Sequence, residues 1–314
     1  MICINYIMKH IIDCLFLILF GFISYSCDHK VASNEGASHL YTTAGFKNYW
    51  YSGKAEISTY QLVQSRYGEP RNGKAVLIFV KEDFSIRKGV KLDDPDRAGS
   101  DKVSVLKMNF TKNFITGIYP YSMMLSVFTP INRIQFPNTL KVTMTSQEWC
   151  GQVFTQMSWK NKKYEIQSNS YFEAEGDTNI QLKSSWLEDE IWNLIRLDPD
   201  QLPIGEIELI PGMFFSRLLH QQIDIQQAIV SRTKEGHVIN YILSVPKQSH
   251  TLSIHFDAKF PHQIFGWEES FMERGQPMQT KATLDKTLIT DYWTKNKNEF
   301  IDLRDSLGLS HKNF

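Results

Sequence analysis

The stretch TMTSQEWCGQVFTQMSW, residues 143–159, holds Cys150, the one cysteine beyond residue 27. A thiolate there could act as a nucleophile, given a histidine to take its proton and a polar group to orient that histidine. If the stretch is one strand, side chains alternate between two faces. Trp149, Gly151, Val153, Thr155, Met157 and Trp159 then form one face, and Glu148, Cys150, Gln152 and Phe154 the other. A mid-strand cysteine beside Glu148 and Gln152 reads as a structural side chain facing a polar groove or solvent. No catalytic residue is assigned on this evidence.

Paired carboxylates are a second source of chemistry, since glycoside cleavage needs one acid and one base or nucleophile. Glu268 and Glu269 stand beside Trp267, but neighbours on a strand point to opposite faces and cannot flank one bond. Glu148 could meet Glu173 or Glu175 only through the fold. His250, His255, Asp257 and His262 are the candidate metal ligands, without HExxH or CxxC spacing. They read as surface histidines of a β protein, so no metal and no cofactor is expected. A third possibility is an adaptable cavity for an apolar ligand, lined by methionine and aromatic side chains. YPYSMMLSVF and the Trp149 stretch supply its candidate lining: Tyr121, Met123, Met124, Trp149 and Phe154.

The elements that must position these residues are mostly strands. Lys54 to Tyr67 and KAVLIFV (74–80) read as a hairpin around Asn72-Gly73, and VSVLKMNF and FITGIYPYSMMLSVF as another around TKN. KGVKLDDPDRAGSDK between them reads as a surface loop. KYEIQSNSYFEAEG, NIQL, IGEIELI, IDIQQAIVSR, VINYILSV, TLSIHFDAKF and TKATLDKTLIT continue the series. SSWLEDEIWNLIRLDP reads as a helix, with Ser185 as N-cap, Glu188 completing a capping box, and Leu187, Ile191, Leu194 and Ile195 on one face. Its acidic run, Glu188-Asp189-Glu190, suits the positive end of the helix dipole and needs no chemistry. DYWTKNKNEFIDLRDSLGL reads as a C-terminal amphipathic helix with Gly308 as its C-cap. The expected class is mainly β: an antiparallel curved sheet or open barrel with a mid-chain and a C-terminal helix. LDPDQLP (197–203) could divide the body, residues 41–314, into two subdomains.

The chain begins with MICINYIMKHIIDCLFLILFGFISYSC, whose apolar run Leu15 to Ile23 is too short to span a bilayer and fits a secretory signal. Met8 is the expected true start and residues 1–26 the signal. Cys27 ends it in the position of a lipobox cysteine, which would carry a lipid anchor. Ser24 stands where a lipobox usually has leucine, and Ser24 and Ser26 also satisfy ordinary signal cleavage. Residues 28–40 are small and polar, as a tether between anchor and body would be. Lys plus Arg and Asp plus Glu each number 34, with no basic stripe, which speaks against a nucleic-acid partner.

YWYSGKAEISTYQLVQSRYGEPRNGKAVLIFV, TGIYPYSMMLSVFTP, QEWCGQVF and the ending YWTKNKNEFIDLRDSLGL resemble a group of bacterial envelope lipoproteins. Members carry the label septum formation inhibitor Maf. Genuine Maf proteins are cytoplasmic α/β nucleotide pyrophosphatases marked by SxSPRR, which this chain lacks. The resemblance therefore implies an exported β-rich lipoprotein and transfers no activity. The expected function is a non-catalytic, lipid-anchored envelope protein, with the outer membrane as its place, that binds a lipophilic molecule or another envelope protein. A periplasm-facing hydrolase using Cys150 or glutamates, and a structural partner of an outer-membrane assembly, are the alternatives.

Overall fold

The computed structural model describes residues 43–309. The signal segment, Cys27 and the tether lie outside those residues. Sixteen strands form one sheet. The first meander comprises β1 (Ala55–Arg66), β2 (Glu69–Ser85), β3 (Val90–Lys91), β4 (Lys102–Thr116), β5 (Tyr119–Pro130), β6 (Lys141–Glu148), β7 (Gly151–Lys160), β8 (Lys163–Ser170) and β9 (Thr178–Lys183). The second comprises β10 (Trp186–Leu187), β11 (Gly205–Ile210), β12 (Gln226–Glu235), β13 (Val238–Val245), β14 (His250–Asp257), β15 (Ile264–Glu273) and β16 (Gln276–Thr290). Helices are few: α1 (Ala44–Trp50), α2 (Glu188–Leu197), α3 (Met213–Leu218) and the single turn α4 (Leu303–Ser306).

Strand order explains the shape. The path runs β10 through β16, then β1, β2 and β4 through β9, so β1 and β16, the first and last strands, pair in the middle. β9 and β10 are opposite edges of this path, yet only Ser184 and Ser185 separate them in the chain. Three peptide steps reach at most about 11 Å, so the sheet must curl until its edges nearly meet. It does not close: β10 pairs in parallel with β11, and no ladder joins β9 to either strand among the described residues. An ion pair, Lys183 Nζ to Glu208 Oε2 at 2.6 Å, crosses the seam instead.

The curled sheet wraps α2. All ten residues of α2 are buried, where the sequence pattern predicts one apolar face and a solvated acidic one. Phe110 of β4 and Trp267 of β15 meet Trp192 edge-on, with ring centroids 5.3 and 5.2 Å away; such pairs add about 0.5–1.5 kcal/mol each beyond area burial. Burial on every side requires polar groups to be paired. Asn193 Nδ2 donates to Leu106 O and Thr129 Oγ1, both at 3.0 Å. Glu190 accepts from Thr139 Oγ1 at 2.6 Å and from the Leu187 N–H at 3.2 Å. Glu190 thereby caps the helix two residues inside the expected Ser185–Glu188 box, and Leu187 takes the N-cap position. Residues 197–203 lead from α2 to β11, and Leu197 and Leu202 belong to the main hydrophobic core.

Several turns fall away from their expected places. The β1–β2 turn is Tyr67-Gly68, both at positive φ, and β2 runs straight through Asn72-Gly73. Gly73 is there for close approach: a Cβ would overlap the backbone oxygen of Asn113 on β4. Gly73→Ala is expected to cost about 1–3 kcal/mol through that overlap, read as a lowered denaturation midpoint with an unchanged m-value. β4 likewise continues through TKN and turns at Gly117-Ile118. The 143–159 stretch is a hairpin, with Trp149 and Cys150 as its two-residue turn. Neither has a positive φ, so no Asn-Gly signal marks the site.

The C-terminal helix reduces to α4. Thr294 Oγ1 donates to Asp291 O at 2.9 Å and to its carboxylate at 2.7 Å, and Lys295 pairs with Asp291. These local bonds compete with helix formation. Thr59 Oγ1 donates to Leu307 O at 2.7 Å, holding the segment on the sheet. Gly308, at φ +63, does terminate α4. Among the described residues no helix is long and apolar enough to cross a membrane.

Candidate functional site

Two features inside the shell carry chemistry: a cavity under α3 and a buried ionic cluster at the start of α2. The cavity, about 240 Å³, lies between the inner faces of β6–β9 and α3 with the loop after it. Its floor is apolar, built by Met144, Val153, Ile166, Ile180, Met213 and Ile223. Strand alternation puts these side chains inward. Ligand pockets run from about 300 to 1,000 Å³, so this one is at the small end.

The cavity's polar wall is ordered by Arg217, which is 5% exposed. Its guanidinium reaches Glu175 Oε1 at 3.1 Å and Glu148 Oε1 at 3.3 Å, and stacks 4.4 Å over the Phe172 ring. His220 Nδ1 lies 2.6 Å from Glu175 Oε1, and Ser170 Oγ donates to Glu175 Oε2 at 2.8 Å. The fold thus brings together Glu148 and Glu175, a pair the sequence allowed only through tertiary structure. Arg217 between them makes both carboxylates its counter-ions rather than an acid and base flanking a bond. Cys150 is exposed on the adjacent hairpin turn, and no histidine hydrogen-bonds it among the described residues.

None of the five expected cavity residues lines this cavity. Tyr121 and Met123 are buried in the main core, where the Tyr121 hydroxyl meets Tyr67 Oη at 2.8 Å. Met124, Trp149 and Phe154 are 39, 69 and 42% exposed. The hairpin at Trp149-Cys150 explains part of the difference, because Trp149 belongs to a turn and to neither face. Val153 and Thr155, from the expected apolar face, do line it. Ser216, Arg217 and His220 were missed. The spacing of Ser216 and His220 fits one helical face, but PGMFFSRLLH is too short to show a helical period.

The second feature joins six elements. His250 of β14, fully buried, places Nε2 3.0 Å from Glu188 Oε2 and Nδ1 4.0 Å from Glu269 Oε1. It stacks on Phe215 with centroids 3.8 Å apart. Lys112 Nζ of β4 lies 3.7 Å from Glu269 and 3.3 Å from Gln64 Oε1 of β1. Asp189 accepts from the Met213 N–H at 3.1 Å. The expectation of a surface histidine at position 250 is overturned. The strand is covered on that face by α2 and α3, which its own alternation cannot reveal. The split of Glu268 and Glu269 between faces holds: Glu268 pairs outside with Lys281 at 2.7 Å, and Glu269 is buried.

Burial would lower the pKa of His250, but Glu188 and then Glu269 outweigh it and hold the imidazole above its ordinary range. Burial, reinforced by Glu188, pushes the Asp189 carboxyl up to about 8. Asp189 therefore holds its proton at neutral pH, and Lys112 and an imidazole held toward its protonated form face the two carboxylates Glu188 and Glu269. Glu188, His250 and Glu269 offer ligand atoms within 4.8 Å of one another. His250 Nε2 is hydrogen-bonded to Glu188, while Nδ1, 4.0 Å from Glu269 Oε1, has no hydrogen-bond partner among the described residues. With Lys112 supplying further positive charge, the donor set fits an ionic network rather than a metal cage.

No family model matches the chain, and no curated protein does. Among solved structures, it is similar to a β-barrel-like protein of the domain of unknown function DUF1849 from Brucella abortus. The match covers 76% of this chain and 98% of that one, at a TM-score of 0.45 and 8% sequence identity. The mainly antiparallel, incompletely closed β architecture stands on the chain's own ladders.

Proposed function

We propose that this chain is an exported, lipid-anchored envelope protein whose β shell binds a small lipophilic molecule without transforming it. The observation that carries the reading is the cavity: an apolar floor beneath a polar wall, in a shell otherwise filled by α2 and aromatic side chains. The signal-like N-terminus, the lipobox position of Cys27 and the resemblance to envelope lipoproteins support the location. The ionic cluster is fully enclosed and its charges are matched inside the shell, which suits a structural role.

Native mass spectrometry of the protein purified from bacterial envelopes tests the binding. The expected result is a bound mass that disappears on unfolding and is absent from Val153→Trp, whose larger side chain occupies the floor. A bare protein mass in both forms overturns it. The same preparation tests the anchor: Cys27→Ala is expected to move the protein to the soluble fraction, and persistent membrane association refutes lipidation at that residue.

A further inference from the structure

We infer that the cavity selects a single-chain amphiphile with a cationic, hydrogen-bond-donating head over an acid of the same length. The inference rests on the ligand-binding reading above and names the chemistry of its ligand. A buried arginine beside an apolar floor would ordinarily suggest a carboxylate ligand. Here Arg217 is already paired with Glu148 and Glu175, and its ring contact with Phe172 fixes it in place. Two carboxylates against one guanidinium leave the wall one negative charge in excess when His220 is neutral. In that form, His220 Nδ1–H donates to Glu175 Oε1 at 2.6 Å, so Nε2 is left as an acceptor.

Ser216 supplies the independent observation. It lines the cavity, is 3% exposed, and its Oγ has no hydrogen-bond partner among the described residues. An unpaired buried hydroxyl costs free energy unless a ligand group meets it. An ammonium head satisfies Ser216 Oγ and His220 Nε2 as acceptors and offsets the excess charge. A carboxylate would meet a negative wall in which both Nη groups of Arg217 are engaged by Glu175 and Glu148, leaving only its Nε–H unpartnered among the described residues. The volume, about 240 Å³, excludes a two-chain lipid and fits a short apolar body.

The test is titration calorimetry of the full chain, carrying Cys27→Ala so that no detergent competes, with octylamine, octanol and octanoate at pH 7.5. Octylamine is expected to bind at least tenfold tighter than octanoate, with octanol between them. Glu175→Gln removes one negative charge and is expected to narrow the amine-to-acid ratio several-fold while leaving octanol nearly unchanged. Octanoate binding as tightly as octylamine, or a ratio unmoved in Glu175→Gln, overturns the inference and leaves the cavity reading intact. Failure of all three to bind overturns the cavity reading and this inference with it.

Discussion

Asp189→Asn is expected to stabilise the protein at pH 8 and to flatten its stability between about pH 4 and 8. In the unfolded chain this carboxyl ionises near its ordinary value of 3.8; in the fold it holds its proton to about 8. Across that window the folded state binds the additional proton, so its stability falls as pH rises. The contribution is complete below the unfolded value and exhausted above the folded one. A shift of that size corresponds to about 6 kcal/mol at about 1.4 kcal/mol per unit. Asparagine keeps an oxygen for the Met213 N–H and carries no charge to desolvate. Urea unfolding at pH 5, 6.5 and 8 reads the effect: the two proteins should be similar at the lowest pH and diverge upward. His250 slopes in the same direction, because its folded pKa is raised. Its stabilisation is complete below about 6.5 and is lost as pH rises through the folded value, so the variant retains that residual slope. Parallel curves for wild type and variant would refute a protonated Asp189.

Arg196→Met is the second large effect, and a destabilising one. Arg196 is fully buried on α2 and forms a two-pronged pair with Glu56 of β1, with Nη1 to Oε1 at 2.7 Å and Nη2 bonded to Oε2. Its guanidinium lies 4.9 Å from the Phe79 ring centre and 5.5 Å from that of Trp50. Burial alone would raise the Glu56 pKa, but Arg196, with Tyr49 and Ser58, holds it below the ordinary carboxylate range. Removing Arg196 leaves a buried carboxylate without its cation, which costs about 3–5 kcal/mol. For a chain of this size that lowers Tm by roughly 6–15 °C. Glu56→Met added to Arg196→Met should recover most of the loss, because both charges are then gone. A double variant no more stable than the single one would show that packing, and not the unpaired charge, sets the cost.

The strands were legible because alternation and β-branched runs are local properties. VINYILSV became β13 with unchanged limits, while KYEIQSNSYFEAEG is strand only as far as Ser170, as β8. Turns were less legible where register overrides turn propensity: Asn72-Gly73 stays extended because Gly73 packs against Asn113. α2 announced itself as a helix, but its complete burial did not. Glu188, Asp189 and Glu190 have the composition of a solvated first turn, and only distant partners, such as His250, 62 residues from Glu188, make them a core. Arg217 had no local signature either, since its two carboxylates arrive from the end of β6 and from the loop between β8 and β9.

Pairing β1 with β16 has a consequence for synthesis. β1 through β9 can form as local hairpins while the chain emerges, but one long edge of β1, AEISTYQLVQSR, has no partner until the last strand is made. An open strand edge of that length invites pairing with other chains. The nascent protein must therefore carry a sticky template through most of its production, and β16 both completes the sheet and removes the hazard. A chain truncated before residue 276 would lose more than its final strand: it would expose the middle of its own sheet.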